Sequence, residues 1–214
     1  KEGLLVDLVR RSRQRSSDPL LSEAVIAAGR RFAFDEAHAI HTRDVALALF
    51  DQLHRVHQLP PDARLLLEVA AVLHDVGHVV SRSRHHKHSL YLIQNMDLPG
   101  LSDHERDLAG IVARFHRRSA PRPDHPLLEP LPAVEVRLVR KLATLLRLAD
   151  ATDRSRQQSV QGVEVSVRPE RVQVRLQARG RRPLPSLRVE EDAALFRAVF
   201  GRRLTLQGKR SARS

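Results

Sequence analysis

Leu65-Leu66-Leu67-Glu68-Val69-Ala70-Ala71-Val72-Leu73-His74-Asp75-Val76-Gly77-His78 is the stretch from which the rest of the chain is read. Leu66, Val69, Ala70 and Leu73 form a helical stripe, and His74 continues it at the i+8 position, facing the core. A polar group left unpaired in an apolar interior costs about 1–3 kcal/mol, so the neighbourhood must supply hydrogen bonds or a metal ion. Gly77 is expected to end the helix at a C′ position, leaving His74 and Asp75 in the last turn, at the edge of a cavity.

The chain has 214 residues, enough for one main domain with a small appendage. It has no cysteine, which excludes disulfides and thiolate zinc sites, so any metal must be held by imidazole and carboxylate. Twelve histidines provide the material. Aromatic residues make up only 3%, which argues against a base-stacking platform and makes nucleic acid an unexpected partner. The net charge of +12 is uneven: residues 168 to 214 hold thirteen basic and four acidic side chains. A basic tail on a nearly neutral body fits a polyanionic partner, and a solvated arginine face explains it equally well. No run approaches the length of a membrane span and the start lacks a signal peptide's apolar region, so a cytoplasmic location is expected.

Outward from the central stretch, residues 2 to 15 read as an amphipathic linker helix. Asp18-Pro19 starts a helix that ends near Gly29, and Asp35 caps a long helix to about His57 with His41, Val45, Ala48 and Leu49 on one face. After Gly77, a basic stretch leads to a helix in which His88, Tyr91, Leu92, Asn95 and Met96 share a face. Ser102-Asp103-His104-Glu105 is a capping box before a helix with the face Leu108, Ile111, Val112, Phe115 and His116. A proline-rich loop precedes a helix carrying Leu142, Leu145, Leu146, Ala149 and Asp150 on one face. From Val160 the period changes to two: Val163, Val165 and Val167, then Val172, Val174 and Leu176, predict a hairpin. A short helix over residues 190–200 and a strand at Leu204–Leu206 complete an α+β appendage. The expected organisation is a linker helix over 1–17, a helical domain over 18–158, a small α+β subdomain over 159–207 and a disordered basic tail over 208–214.

His41, His74, His88, His116 and Asp150 thus each occupy an apolar face, and Asp75 adjoins one of them. Burying them separately would cancel most of the roughly 5–15 kcal/mol by which a domain is stable, so one shared divalent site is the simplest account. The nitrogen and oxygen donors suit manganese, iron, cobalt, nickel or zinc, with magnesium possible. His41, His74, Asp75 and Asp150 suffice for one ion. Adding His88 and His116, with Asp75 as a bridge, would hold two, the arrangement that clamps attacking and leaving oxygens in phosphoester hydrolysis. Arg82, Arg84, Lys87, Arg117 and Arg118 flank these ligands and are the candidates for holding phosphate oxygens.

His41, His74-Asp75 and Asp150 resemble the H…HD…D signature of HD-domain metal-dependent phosphohydrolases. The strings from His85 to Asn95, Asp97-Leu98-Pro99-Gly100 and Arg114-Phe115-His116-Arg117-Arg118 resemble, more specifically, the C-terminal HD-like region of the exopolyphosphatase/guanosine pentaphosphatase (Ppx/GppA) family. The resemblance implies a mainly α fold, an HD-type helical bundle with the C-terminal α+β appendage, and puts His74 and Asp75 at the centre of catalysis. It implies a phosphate-rich small molecule or polyphosphate as partner, and metal-dependent hydrolysis of a phosphoester or phosphoanhydride. The family's polyphosphate chemistry belongs to an actin-like region whose Gly-rich loops have no counterpart in this sequence, so that mechanism is not carried over. The alternative is a non-catalytic polyphosphate- or nucleotide-binding module, or a dimerisation module forming a homodimer.

Overall fold

A computed structural model describes residues 19–178 and 190–209. The expected linker helix and the end of the basic tail lie outside the described residues. The helices run α1 Pro19–Arg30, α2 Glu36–Gln52, α3 His54–His57, α4 Ala63–Leu73, α5 His85–Asn95, α6 Asp103–Arg114 and α7 Ala133–Ala151. Strands β1 Val160–Val167 and β2 Arg171–Ala178, helix α8 Glu190–Phe200 and strand β3 Arg203–Lys209 follow. The protein is therefore mainly helical with a small three-stranded sheet towards its C-terminal end.

Helix α4 is the axis of the bundle. All its residues except Arg64 are buried, and α1, α2, α6 and α7 pack around it. A helix apolar on nearly every side is stable only when enclosed in this way. Asp35 caps α2 by accepting the His38 N–H, and Ser102 and Glu105 close the expected capping box on α6. The long second helix is interrupted: α2 ends at Gln52, and after Leu53 only the single-turn α3 continues to His57.

Gly77 does not end a helix in the left-handed conformation. It lies in the 3-10 turn Val76–Val79, and its φ is not positive. It is needed for close approach instead: a Cβ there would stand 2.1 Å from the His85 carbonyl oxygen and 2.5 Å from the Ser89 nitrogen. The turn after α4 is thereby pressed onto the first turns of α5, and the Gly77 N–H donates to Ser89 Oγ at 2.9 Å. This contact sets which face of α5 turns inward. His85, His86, Ser89 and Ile93 are buried, whereas Tyr91 is 66% exposed, so the predicted face through His88 and Tyr91 is not the inner one.

In the sheet, β1 pairs antiparallel with β2, and β3 runs parallel to β2 on its other side. Val172, Val174 and Leu176 are buried in the same apolar cluster as the helices, while Arg171 and Arg175 alternate to the exposed face. Strand β3 extends through Lys209, so Gly208 and Lys209 belong to the sheet and not to the expected tail. Two side chains tie the sheet region to the bundle. The Gln52 amide donates to the Val163 carbonyl at 2.9 Å and accepts from the Val165 N–H at 2.8 Å. Arg147 of α7 forms a buried ion pair with Asp192 of α8 at 2.8 Å.

Candidate metal centre

Helix ends bring the polar side chains together. His74 caps the C-terminus of α4 and Asp75 follows it; His116 lies just beyond α6, and Asp150 in the last turn of α7. They meet His38 in the first turn of α2 and His85 at the first position of α5. The Asp75 carboxylate stands between two groups. Its Oδ2 lies 3.6 Å from His74 Nε2 and 3.9 Å from His38 Nε2, and those imidazoles lie 3.8 and 3.2 Å from Asp150 Oδ1. Its Oδ1 lies 3.2 Å from His85 Nε2, 3.4 Å from His116 Nε2 and 3.5 Å from His78 Nε2.

The second ring nitrogens fix how these histidines face. Nδ1 of His74 donates to the Ala71 carbonyl at 2.8 Å, that of His116 to Ala113 at 2.7 Å and that of His85 to Arg82 at 3.2 Å. His38 Nδ1 donates to Asp153 Oδ2 at 2.9 Å, and Asp153 is fully buried. With the proton on Nδ1, a neutral ring turns the lone pair of Nε2 inward. His85 Nε2 and His116 Nε2 stand 3.2 Å apart, and Asp75 Oδ1, buried with no hydrogen-bond partner, faces both. Three acceptor atoms that converge without a proton to share fit a cation. His38, His74 and Asp75, and separately Asp75, His85 and His116, have ligand atoms within 4.8 Å of one another.

The electrostatics agree with that donor set. Burial opposes ionisation of Asp75, but with no cation present a proton carried on Nε2 by the imidazoles of His74, His116, His78 and His85 outweighs it and holds the carboxyl far below the usual range, the part that a bound cation would take over from those protons. Asp150 is likewise held low, against its burial, by His38, His74 and His116. Burial pushes His74 down to about 4, which keeps it neutral and able to ligate. Burial also disfavours charge on His38, but Asp150 and Asp153 prevail and raise it to about 9, so a metal ion at His38 must displace a proton.

A cavity of about 620 Å³ opens beside this cluster and is lined by His38, His116 and Asp150 together with Arg117, Arg118, Arg147, Arg154 and Arg156. The backbone on its rim is unusual. Arg118 and Arg156 have φ values of 61° and 54°, in the region that non-glycine residues rarely adopt.

Residues 22–181 match the Ppx/GppA phosphatase, domain III, family profile. The chain belongs to this family. Among its curated relatives, a guanosine-5'-triphosphate,3'-diphosphate pyrophosphatase of Vibrio vulnificus is 30% identical over 165 residues, covering 75% of this chain and 31% of the relative. Proteins with the same description from Aeromonas hydrophila and Photobacterium profundum are 31% and 27% identical, covering 70% and 68% of this chain and 29% of each relative. The chain thus spans under a third of the length of the relatives it matches.

Within this Ppx/GppA domain III chain, His74, Asp75, His116 and Asp150 converge, whereas two other expected ligands stand apart. His41 is buried in α2 and His88 half-buried in α5, but neither belongs to the cluster; His38 and His85, each one helical turn earlier, take those places. Arg117 and Arg118 line the cavity, while Arg82, Arg84 and Lys87 are exposed and do not. Asp153, Arg154 and Arg156 carry no comparable sequence signal, because they lie on no apolar stripe. A sequence signal for His38 and His85 exists: both begin a His-x-x-His pair at a helix start, and the other members of the cluster sit at helix ends.

Proposed function

We propose that this chain is an HD-type metal-dependent phosphohydrolase domain that acts on a phosphoester or phosphoanhydride of a nucleotide or polyphosphate-like substrate. The observation that carries the reading is the Asp75 carboxylate, with Oδ2 turned to His38 and His74 and Oδ1 to His85 and His116. His38, His74, Asp75 and Asp150 would hold one divalent ion, and Asp75, His85 and His116 a second, drawn from manganese, iron, cobalt, nickel, zinc or magnesium. Such ions supply Lewis acidity towards a phosphoryl oxygen and an activated water. The chain's own residues do the rest. Arg117, Arg118 and Arg154 present guanidinium groups to phosphate oxygens in the cavity next to the ligands. Asp153 and the backbone carbonyls of Ala71, Arg82 and Ala113 keep the imidazoles aimed. The relatives' description as guanosine-5'-triphosphate,3'-diphosphate pyrophosphatases supports a phosphate-rich nucleotide as the substrate class.

A non-catalytic phosphate-binding module is the second reading, favoured by Arg156, whose guanidinium already pairs with Asp75 Oδ2 at 2.5 Å. The two are separated by assaying phosphate release from nucleotides and from short polyphosphates with manganese, in wild type and in Asp75→Asn and His116→Gln. Release that requires metal and is lost in both variants supports the enzyme. Metal and phosphate binding without turnover would leave the binding module.

A further inference from the structure

Arg156 stands between two carboxylates. Its Nη2 lies 2.5 Å from Asp75 Oδ2 and its Nη1 lies 3.0 Å from Asp35 Oδ2. Asp75 Oδ2 is the oxygen that faces His38 and His74, so the guanidinium reaches the carboxylate on the side of the first ligand group. The loop after α7 fixes this placement. The Arg156 N–H donates to the Asp153 carbonyl at 2.9 Å, and the Asp153 carboxylate grips His38 Nδ1, the Gln158 N–H and the Gln158 side-chain amide. One loop therefore orients a metal-binding imidazole and delivers a fixed positive charge to the same site. That Arg156 holds φ at 54° within this bonded frame shows that the frame, and not local preference, determines its conformation.

A carboxylate oxygen has lone pairs for two partners, but a guanidinium and a divalent ion on one oxygen would stand within about 4 Å and repel each other. We propose that Arg156 and a divalent ion compete for Asp75 Oδ2, which makes Arg156 the positioning residue that sets the metal affinity of the His38 side. Loading that side moves the guanidinium off Oδ2 while Asp35 retains it. The freed edge then joins Arg117, Arg118 and Arg154 in the cavity that Arg156 also lines. The inference rests on the metal-centre reading above. It adds that the cation inventory is regulated from within: the side chain that stabilises the bridging carboxylate is also the one that restrains its metal.

Calorimetric titration of manganese(II) into the full chain, stripped of metal and held at constant ionic strength, tests this in wild type, Arg156→Gln and Arg156→Lys. Arg156→Gln is expected to bind manganese at least about tenfold more tightly than wild type, because a competing unit charge is gone. Arg156→Lys, which keeps the charge but loses the two-carboxylate fork, is expected to fall between them. The metal-stripped Arg156→Gln protein is expected to melt below wild type, since Asp75 has lost its counter-ion. Equal or weaker manganese affinity in Arg156→Gln, with unchanged far-ultraviolet circular dichroism, overturns the competition and leaves Arg156 as a clamp on the loop. If Arg156→Gln does not fold, Arg156→Lys decides: affinity above wild type supports the proposal, and affinity at or below it overturns it. Absence of manganese binding to any of the proteins would instead remove the metal-centre reading, and this inference with it.

Discussion

His85 Nε2 and His116 Nε2 face each other across 3.2 Å, each ring anchored through Nδ1 to a backbone carbonyl. Two lone pairs at that separation repel, so the pair gains stability from a cation placed between them. Manganese at one hundred times its dissociation constant is expected to stabilise the fold by about 2.7 kcal/mol. Differential scanning calorimetry should show melting rise by several degrees with manganese and fall back with chelator. Insensitivity to both would count against a metal centre.

The metal count should follow the geometry of Asp75. Elemental analysis of manganese-reconstituted protein is expected to give two ions in wild type, one in His85→Gln or His116→Gln, and none in Asp75→Asn. A full complement in Asp75→Asn would show that the carboxylate is not the bridge.

The paired histidines provide a sharper check. His38→Gln should lose an ion, whereas His41→Gln and His88→Gln should keep the wild-type count, although His41→Gln disturbs a buried site and lowers the melting temperature. Loss of metal on replacing His41 would contradict the placement of the α2 ligands.

The contrast between those residues shows what the sequence could convey. His74, Asp75, His116 and Asp150 were legible because each interrupts an apolar stripe near a helix end. Periodicity says which side of a helix is buried but not which of its turns is level with a neighbour, and His38 and His41 are both buried in α2. The difference on α5 has another cause. The pattern His88, Tyr91, Leu92, Asn95 and Met96 predicts one inner face, yet the close approach of Gly77 to His85 and Ser89 turns a different face inward. That is a tertiary contact between segments, invisible to local pattern. The hairpin was legible from its alternation, whereas the parallel addition of β3 beside β2 depends on where α8 docks.

Gly77→Ala is accordingly expected to destabilise the fold by about 3 kcal/mol, since the backbone atoms its Cβ would meet cannot move aside as a flexible side chain would. Urea denaturation measures the change. A loss below about 0.5 kcal/mol, the size of an ordinary surface substitution, would mean that the turn and α5 separate easily.

His57 predicts a pH response away from the histidine cluster. Its Nε2 donates to the Phe50 carbonyl at 2.8 Å and its Nδ1 accepts from the Leu59 N–H at 2.9 Å, which requires the neutral ring. Burial, with Lys141 nearby, holds its pKa below the ordinary 6.5. The unfolded chain takes up a proton below pH 6.5 that the folded chain resists, so this contribution is present above 6.5 and is lost as pH falls towards the folded value. Thermal melts between pH 7.5 and 5 should decline more steeply in wild type than in His57→Gln. Parallel curves would place the acid sensitivity elsewhere.

The Gln52 side chain has a consequence for the protein's company. Strand β1 lies at the rim of the sheet, and an exposed rim is a template on which another chain can add a strand. By donating to the Val163 carbonyl and accepting from the Val165 N–H, the Gln52 amide imitates a peptide unit of a missing neighbour. A single glutamine at the end of the helix that also carries His38 thus covers part of this edge, and replacing its amide is expected to leave the histidine cluster intact while raising the tendency of the β1 edge to pair with another chain.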